Sequence, residues 1–439
     1  MTTYYQIQMA VKPHKKHKKV SKKVDGNKFV KQAERKQGIN APTNYYRHFD
    51  KKRFWIIFGV TAGIFAILLI LSCTVDFDIS WALASSKFQD MWMTKSGEMV
   101  PTDTFSYYSN NGWDNLVEAF AESIGFLICT FGLWLMAFPF FFVDKKKKVW
   151  YRTTSQIIIP SFLIVTAIFV MYYYNNSLGW HSYLKIVHGS TSDNMNRFVS
   201  ALFSIIISAS MFVVIWFFKQ QTRISLAKLG FLMVMAFILS EVIVWTLKYA
   251  VDLNRERFRA IMCDKEIWRT GEANKDAAYA LFVPWWEKTP STAEQIWKES
   301  VPAAYQSDSY VKNAFSSFPS GHSSLASCAL TLCFLPCCCE KANNKEWKGY
   351  FIWLILFAVV LTVMWSRVGA GAHWLSDTTI GFFCGTVPAL LLGLLIFRVP
   401  QVSNFFQGMN INGQWYQFVF IPVILPVVIW LITNVLPWY

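Results

Sequence analysis

Charged residues are scarce in this chain of 439 residues: Asp, Glu, Lys and Arg make up 16% of it, against about 25% in an average soluble domain. Hydrophobic residues make up 54% and aromatic residues 17%. A chain this apolar is neither intrinsically disordered nor typical of a soluble enzyme. The composition therefore predicts a membrane protein with several transmembrane helices.

The sequence also has no internal repeat, no Gly/Ser-rich linker and no disulfide framework among its nine cysteines. Most of the cysteines lie inside apolar runs, and we interpret them as packing residues. A zinc site would need spaced Cys or His ligands and a second cluster, and the sequence has neither. We therefore expect no metal centre and no cofactor.

The net charge of +15 first suggests a nucleic-acid partner, but the charge is concentrated at one end. Residues 1–53 hold 15 Lys and Arg and three acids, so the other 386 residues carry a net charge of only +3. We interpret residues 1–53 as a disordered, basic cytoplasmic tail that sets the membrane topology. Contact with anionic lipid headgroups is an alternative role, and no nucleic-acid partner is expected.

Apolar runs of about 20 residues can cross a bilayer as helices. The sequence has nine such runs, at residues 54–74, 117–143, 156–174, 199–218, 227–247, 322–339, 349–365, 378–397 and 418–436. If the runs alternate in direction, the Lys and Arg of the short loops fall on one side, which should be the cytoplasm. The predicted fold class is an all-α polytopic membrane helix bundle in the plasma membrane, with the N-terminus in the cytoplasm.

Three short polar clusters lie at the ends of these runs on the opposite, outer face. The first holds Lys248 and Arg255, and the second is the sequence Pro-Ser-Gly-His that ends at His322. The third contains Ser366-Arg367, His373 and Asp377. Because all three share one membrane face, they can converge in a single pocket.

The residue types in this pocket suit phosphate chemistry. Lys248, Arg255 and Arg367 would bind a multiply charged anion, since Arg presents a planar fork to phosphate oxygens. Ser320 is placed to cap the following helix, where free N–H groups suit phosphate, and Gly321 lets the backbone approach closely. These cations would stabilise charge without a metal ion.

Two histidines supply the reactive groups of the pocket. Asp377 lies four residues after His373, on the same helical face, so its carboxylate could fix the imidazole tautomer. The other ring nitrogen of His373 could then attack phosphorus, while protonated His322 gives its proton to the leaving oxygen.

Each cluster alone also has a purely structural explanation. His-x-x-x-Asp is commonly a hydrogen bond on a helix surface, Pro-Ser-Gly-His a turn before a helix cap, and Lys or Arg after a span a topology anchor. The order, spacing and common face of the three clusters favour a shared functional site.

The three clusters together resemble the type 2 phosphatidic acid phosphatase superfamily, which includes vanadium haloperoxidases and glucose-6-phosphatase-like enzymes. The family pattern is Lys-x6-Arg-Pro, Pro-Ser-Gly-His and Ser-Arg-x5-His-x3-Asp. The resemblance implies a phosphohistidine on His373, oriented by Asp377, with His322 as general acid. It also implies phosphate binding by a set of five residues: Lys248, Arg255, Ser320, Gly321 and Arg367.

One position departs from the family pattern. Glu256 stands where the family has Pro, so the backbone beside Arg255 lacks the stiffening that proline gives. Glu256 could also pair with Arg255 or Arg257 and weaken phosphate binding.

The resemblance covers residues 156–397, which we expect to form a six-span phosphatase core. Residues 54–155 would add two spans and an outside loop, and residues 398–439 a last span. The leading hypothesis is a metal-independent membrane phosphatase whose partner is a lipid phosphomonoester or diphosphate. A phosphotransferase using the same site and a non-catalytic lipid-binding or transport protein are the alternatives.

Overall fold

The computed structural model describes most of the chain between residues 51 and 398. Outside the described part lie residues 1–50, 89–112, 114–115, 118–119, 139–156, 178–192, 217–222, 251–254, 263, 265–266, 268–272, 288, 291, 301–310, 312–313, 339–346 and 399–439. The chain divides into Met1–Thr43 and Asn44–Tyr439, and every described residue belongs to the second unit. Nearly all of the predicted tail and the whole ninth predicted span therefore lie outside the described residues.

The described residues form helices and no β-strand. In chain order the helices are α1 Lys51–Thr74, α2 Asp76–Ala84, α3 Ser123–Ala137, α4 Ile159–Ser177, α5 Asp193–Trp216, α6 Arg223–Trp245, α7 Phe258–Ile261, α8 Lys275–Ala280, α9 Ala293–Ser300, α10 Gly321–Ser327, α11 Trp347–Gly369 and α12 Leu375–Arg398. Helix α6 continues as a π-helical turn, Thr246–Ala250, and α10 continues as a 3-10 helix, Cys328–Cys338. The predicted all-α class is confirmed.

Six of the described helical segments are long and apolar enough to cross a membrane. They are Trp55–Thr74, Arg197–Trp216, Leu226–Lys248, Gly321–Cys338, Tyr350–Gly369 and Leu375–Phe397. Each coincides with a predicted span. The second predicted run corresponds to the shorter apolar helix α3, and the third to α4. Large apolar side chains such as Ile67, Leu202 and Leu354 are exposed on the outer faces, as expected where helices meet lipid. The chain is an integral membrane protein.

The helices pack closely where glycines remove side-chain bulk. Gly132 of α3 and Gly230 of α6 face each other, and a Cβ built on either would collide with the backbone of the other. Gly381 and Gly385 of α12 lie against the carbonyl oxygens of Ser320 and Ser324 in the same way. Small residues permit such close approach in membrane bundles. The second contact fixes α12 against the start of α10.

An aromatic cluster covers the ends of the bundle helices next to α2 and α7. Phe77, Phe258 and Trp374 are buried together, with the rings of Phe258 and Trp374 meeting edge to face at 5.5 Å between centroids. Trp374 lies between His373 and α12, so this packing helps to fix the segment that carries the third polar cluster.

We predict that Gly385→Val destabilises the fold by about 1–3 kcal/mol, since overpacking a tight interface costs this much. The matched control is Gly59→Val in α1, where an added Cβ meets no atom within 4 Å. Thermal unfolding in detergent measures both variants. Equal melting temperatures for the two would contradict the packing argument.

Candidate active site

The three predicted clusters meet at one end of the bundle. Lys248 ends the span Leu226–Lys248, Ser320 precedes the span Gly321–Cys338, and His373 precedes the span Leu375–Phe397. Backbone hydrogen bonds join the segments: the N–H of Ser320 donates to the carbonyl of Asp377 at 3.0 Å, and that of Arg257 to the carbonyl of Ala314 at 2.8 Å. The convergence expected from the sequence is therefore present in the fold.

His373 is buried and held by a backbone carbonyl. Its Nδ1 lies 2.7 Å from the carbonyl oxygen of Ser317 and 3.8 Å from the carboxylate of Asp377. A carbonyl oxygen can only accept, so Nδ1 carries the proton and Nε2, on the other side of the ring, has the lone pair. The tautomer is thus set by Ser317, whereas the sequence had indicated Asp377 for this task.

The pKa of His373 lies well below its usual value. Burial is the largest cause, because it penalises the charged imidazole, and the neighbouring charges of Arg257, Arg367 and Lys248 act in the same direction. The imidazole is therefore neutral at physiological pH, which is the form that can act as a nucleophile.

Asp377 connects the three clusters rather than binding His373 directly. Its carboxylate accepts hydrogen bonds from the guanidinium of Arg255 at 2.8 Å, from the backbone N–H of Trp374 at 2.9 Å and from the hydroxyl of Ser317. The Ser317 contact places the carbonyl that holds His373. Asp377 therefore orients His373 through the backbone of Ser317.

Arg255 occupies a place that the sequence did not indicate. Besides Asp377, its guanidinium binds the carboxylate of Asp76 at 2.9 Å and the carbonyl of Val283 at 2.9 Å. It also lies over the ring of Trp374, 4.9 Å from the centroid. The side chain is 3% exposed, so it is enclosed by protein groups. The expectation that Arg255 faces a phosphate stays a prediction, and in this structure the guanidinium is engaged by protein groups.

Asp76 is the partner of Arg255 that the sequence analysis missed. It begins α2, directly after the first span, and its carboxylate also accepts the backbone N–H of Ser376 at 3.0 Å and the Ser376 hydroxyl at 2.6 Å. Burial raises the pKa of Asp76, while Arg255 opposes that shift. The one feature of the sequence that could have indicated Asp76 is its position as an acid at the outer end of a span, where burying a charge is costly.

Arg257, two residues further on, lies beside His373. Its guanidinium donates to the carbonyl of Ala372 at 2.8 Å and to that of Ser316 at 3.4 Å. Lys248 donates to the same Ser316 carbonyl at 3.1 Å. Among the charges that lower the pKa of His373, that of Arg257 has the largest effect. Lys248 and Arg257 thus form a cationic pair next to the imidazole.

Ser320, Gly321 and Arg367 belong to the segments that meet at His373 and Asp377. Ser320 is the N-cap of α10 and accepts a hydrogen bond from the backbone N–H of Ser323, so the predicted cap is confirmed. A Cβ on Gly321 would meet only the Glu122 carboxylate, at 3.7 Å, which leaves the backbone approachable. Arg367 is buried, and its carbonyl accepts the backbone N–H of His373 at 3.3 Å.

His322 faces His373 across the site, with 6.3 Å between the ring centroids. Its Nδ1 lies 3.0 Å from Oε1 of Glu122, and both side chains are 18% exposed. Glu122, like Asp76, is absent from the residues predicted for the site.

Glu256, the departure from the family pattern, is not the partner of Arg255. Its carbonyl accepts the indole N–H of Trp374 at 2.7 Å, and Arg255 pairs with Asp76 and Asp377 rather than with Glu256. Burial raises the pKa of Glu256 to about 8, with a smaller contribution from Asp264. The side chain is therefore mainly neutral at pH 7.

Comparison with known proteins supports the pattern on which the site was predicted. Residues 225–401 match the family model of the PAP2 superfamily, which confirms the resemblance. All eight predicted site residues lie inside the match, whereas Asp76 and Glu122 lie outside it. No curated protein and no solved structure matches the chain. Within the described ranges, no group of three or more His, Cys, Asp or Glu side chains could hold a metal ion.

We predict that Glu256→Gln stabilises the protein, and more so at higher pH. The folded chain keeps the Glu256 proton up to about pH 8, while the unfolded chain loses it near the usual pKa of 4.5. Between these pH values the Glu256 carboxyl must take up a proton when the chain folds, so the folded state loses stability as pH rises. A Gln side chain binds no proton and avoids this loss. The gain in melting temperature over wild type should be larger at pH 8 than at pH 5. An equal gain at both would contradict the burial argument.

Proposed function

We propose that this chain, whose residues 225–401 match the PAP2 superfamily, is a metal-independent lipid phosphatase that works through a phosphohistidine on His373. The match and the apolar helices support a membrane phosphatase-type protein. The observation that carries the finer proposal is the pairing of a neutral His373, whose Nδ1 is bound by the Ser317 carbonyl, with His322 opposite it.

The first step would transfer a phosphoryl group to His373. Nε2 attacks phosphorus, an N–P bond forms, and the P–O bond to the lipid breaks with its electron pair on oxygen. His322 gives that oxygen a proton, which yields the lipid alcohol. The separation of 6.3 Å between the ring centroids supports this step, because it leaves room for reacting atoms about 3 Å from each ring. Water then hydrolyses the N–P bond and releases phosphate.

Phosphate binding would fall to Lys248, Arg257 and Arg367, with the backbone at Ser320 and Gly321. Their charges surround His373 and would stabilise the charge on the transferring phosphoryl group. In this proposal Arg257 takes the phosphate role that the motif spacing had given to Arg255. Arg255 instead stabilises the site through its two buried carboxylate partners.

The position of the site at the ends of the spans favours a lipid substrate. A phosphate at headgroup level would reach this end of the bundle while its hydrocarbon tail stays in the bilayer. Phosphatidic acid and isoprenoid diphosphates both have this geometry. The loop charges favour an outward-facing site, so the substrate of the proposed reaction would be a lipid of the outer leaflet of the plasma membrane.

We predict that His373→Ala lowers phosphate release by about 10⁴-fold or more, as expected for the loss of an enzyme nucleophile. The purified protein is assayed with a panel of lipid phosphates in excess chelator, and vanadate should inhibit the wild type. Labelled donor separates hydrolysis from transfer to an acceptor lipid or sugar. Unchanged release by His373→Ala would disprove the phosphohistidine mechanism, and lipid binding without turnover would indicate a non-catalytic protein.

We predict that replacing Arg257 mainly lowers activity, whereas replacing Arg255 mainly lowers stability. Arg257→Ala should lower kcat/KM by about 10²-fold, the size seen when one transition-state donor is lost. It should lower the melting temperature less than Arg255→Ala does, although Arg257 is also buried and donates to the carbonyls of Ala372 and Ser316. Arg255→Ala should destabilise the fold by about 3–5 kcal/mol, because Asp76 and Asp377 would be left buried without their cation. Thermal unfolding and lipid phosphatase assays measure both. A stable Arg255→Ala variant with lost activity would return the phosphate role to Arg255.

A further inference from the structure

Glu122 brings a carboxylate into the site from outside the matched domain. It immediately precedes α3, and its Oε1 lies 3.0 Å from Nδ1 of His322. We infer that Glu122 is a positioning residue that holds His322 in the protonated, correctly oriented form required of a general acid. The inference rests on the proposed function and extends it, because it makes the N-terminal helix α3 part of the catalytic apparatus.

Packing fixes Glu122 in this place. Gly125, three residues along the chain, lies directly against Leu325, which is three residues after His322. Further along α3, Gly132 approaches the backbone of Gly230 in α6. The segment with Glu122 and the helix with His322 are therefore in direct contact about one helical turn away from the Glu122–His322 ion pair. Such support keeps a carboxylate in a defined position.

The charges of the site explain why a general acid there needs an anion. The cations Lys248, Arg257 and Arg367 favour a neutral imidazole, as their effect on the pKa of His373 shows. His322 must carry a proton when the substrate arrives, in the same cationic surroundings. A carboxylate within hydrogen-bond distance stabilises the imidazolium, and Glu122 supplies it.

The two histidines therefore differ in the partner of Nδ1. His373 has the uncharged carbonyl of Ser317, which allows a neutral ring, and His322 has the carboxylate of Glu122, which favours a charged one. Two like groups with opposed environments are typical of an acid and a nucleophile acting on the same substrate. During the proposed transfer the proton on Nε2 of His322 moves to the lipid oxygen. Nδ1 keeps its own proton, which it donates in a hydrogen bond to Glu122.

Other ionisable groups lie near Glu122 and His322 and affect how kcat/KM depends on pH. Glu241 and Lys248 of the span Leu226–Lys248 both interact electrostatically with Glu122. The hydroxyl of Tyr174 in α4 lies near it as well, and His373 faces His322 from the other side. Glu241 repels the Glu122 charge while Lys248 attracts it, so the two effects oppose each other.

The test is a double-mutant cycle on the full-length protein in detergent, with kcat/KM for a lipid phosphate as the readout. Glu122→Gln should lower kcat/KM by about 30–100-fold, part of the 10²–10⁴-fold that general acid catalysis contributes. In a His322→Asn background the same change should have almost no further effect, because Glu122 acts through His322. Full additivity of the two changes would overturn the inference.

Two further readouts separate positioning from a merely structural role. Glu122→Gln should move the alkaline limb of the kcat/KM profile to lower pH, since His322 would lose its proton more easily. It should also affect a 4-nitrophenyl phosphate ester much less than the alkyl ester, because a good leaving group needs little protonation. An unmoved alkaline limb would contradict the inference even if activity fell.

Controls keep this inference distinct from the proposed function. Glu294→Gln, on the exposed face of α9, makes the same chemical change away from the site and should behave as wild type. Glu122→Asp, which keeps the charge, should recover part of the lost activity. A wild type that releases no phosphate from any lipid would overturn the proposed function. An active wild type matched by Glu122→Gln would overturn this inference alone.

Discussion

The buried carboxylate of Asp377 is the contact on which the site depends. It is completely shielded from solvent. Its hydrogen-bond donors are Arg255 of the first cluster, Ser317 just before the second, and the backbone of Trp374 in the segment of the third. A buried charge is stable only when its hydrogen-bonding capacity is met. The folding of each cluster is therefore coupled to that of the other two. Through Ser317, the same carboxylate sets the carbonyl that gives His373 its tautomer.

Arg255 and Arg257 have different partners, because Arg255 pairs with the buried carboxylate of Asp377. One buried guanidinium lies between two carboxylates, Asp76 and Asp377, and donates to both. Arg255 fills that place, so its charge is committed to protein partners. Arg257 then lies on the side of His373, together with Lys248. The charge of Arg255 is therefore used within the fold, whereas Lys248 and Arg257 add positive charge near His373.

The helices before residue 225 are part of this arrangement. Asp76 follows the first span and closes the ion pair around Arg255, and Glu122 precedes α3 and contacts His322. Both residues lie outside the matched domain, yet each binds a residue inside it. The close contact of Gly132 with Gly230 shows why α3 can hold such a position. The N-terminal helices thus complete the electrostatics of the site in addition to anchoring the chain in the membrane.

The sequence alone determined the features that depend on local pattern. Long apolar runs predicted the described spans, the loop charges placed three clusters on one face, and Ser320 before an apolar run predicted a helix cap that the fold contains. Tertiary structure decided every contact made at long range. The hydrogen bond from His373 goes to a backbone carbonyl, which every residue has and no motif reveals. The pairing of Arg255 inside the fold depends on Asp76, about 180 residues away. Spacing along a chain limits which side chains share a face, whereas only packing determines which buried charges become neighbours.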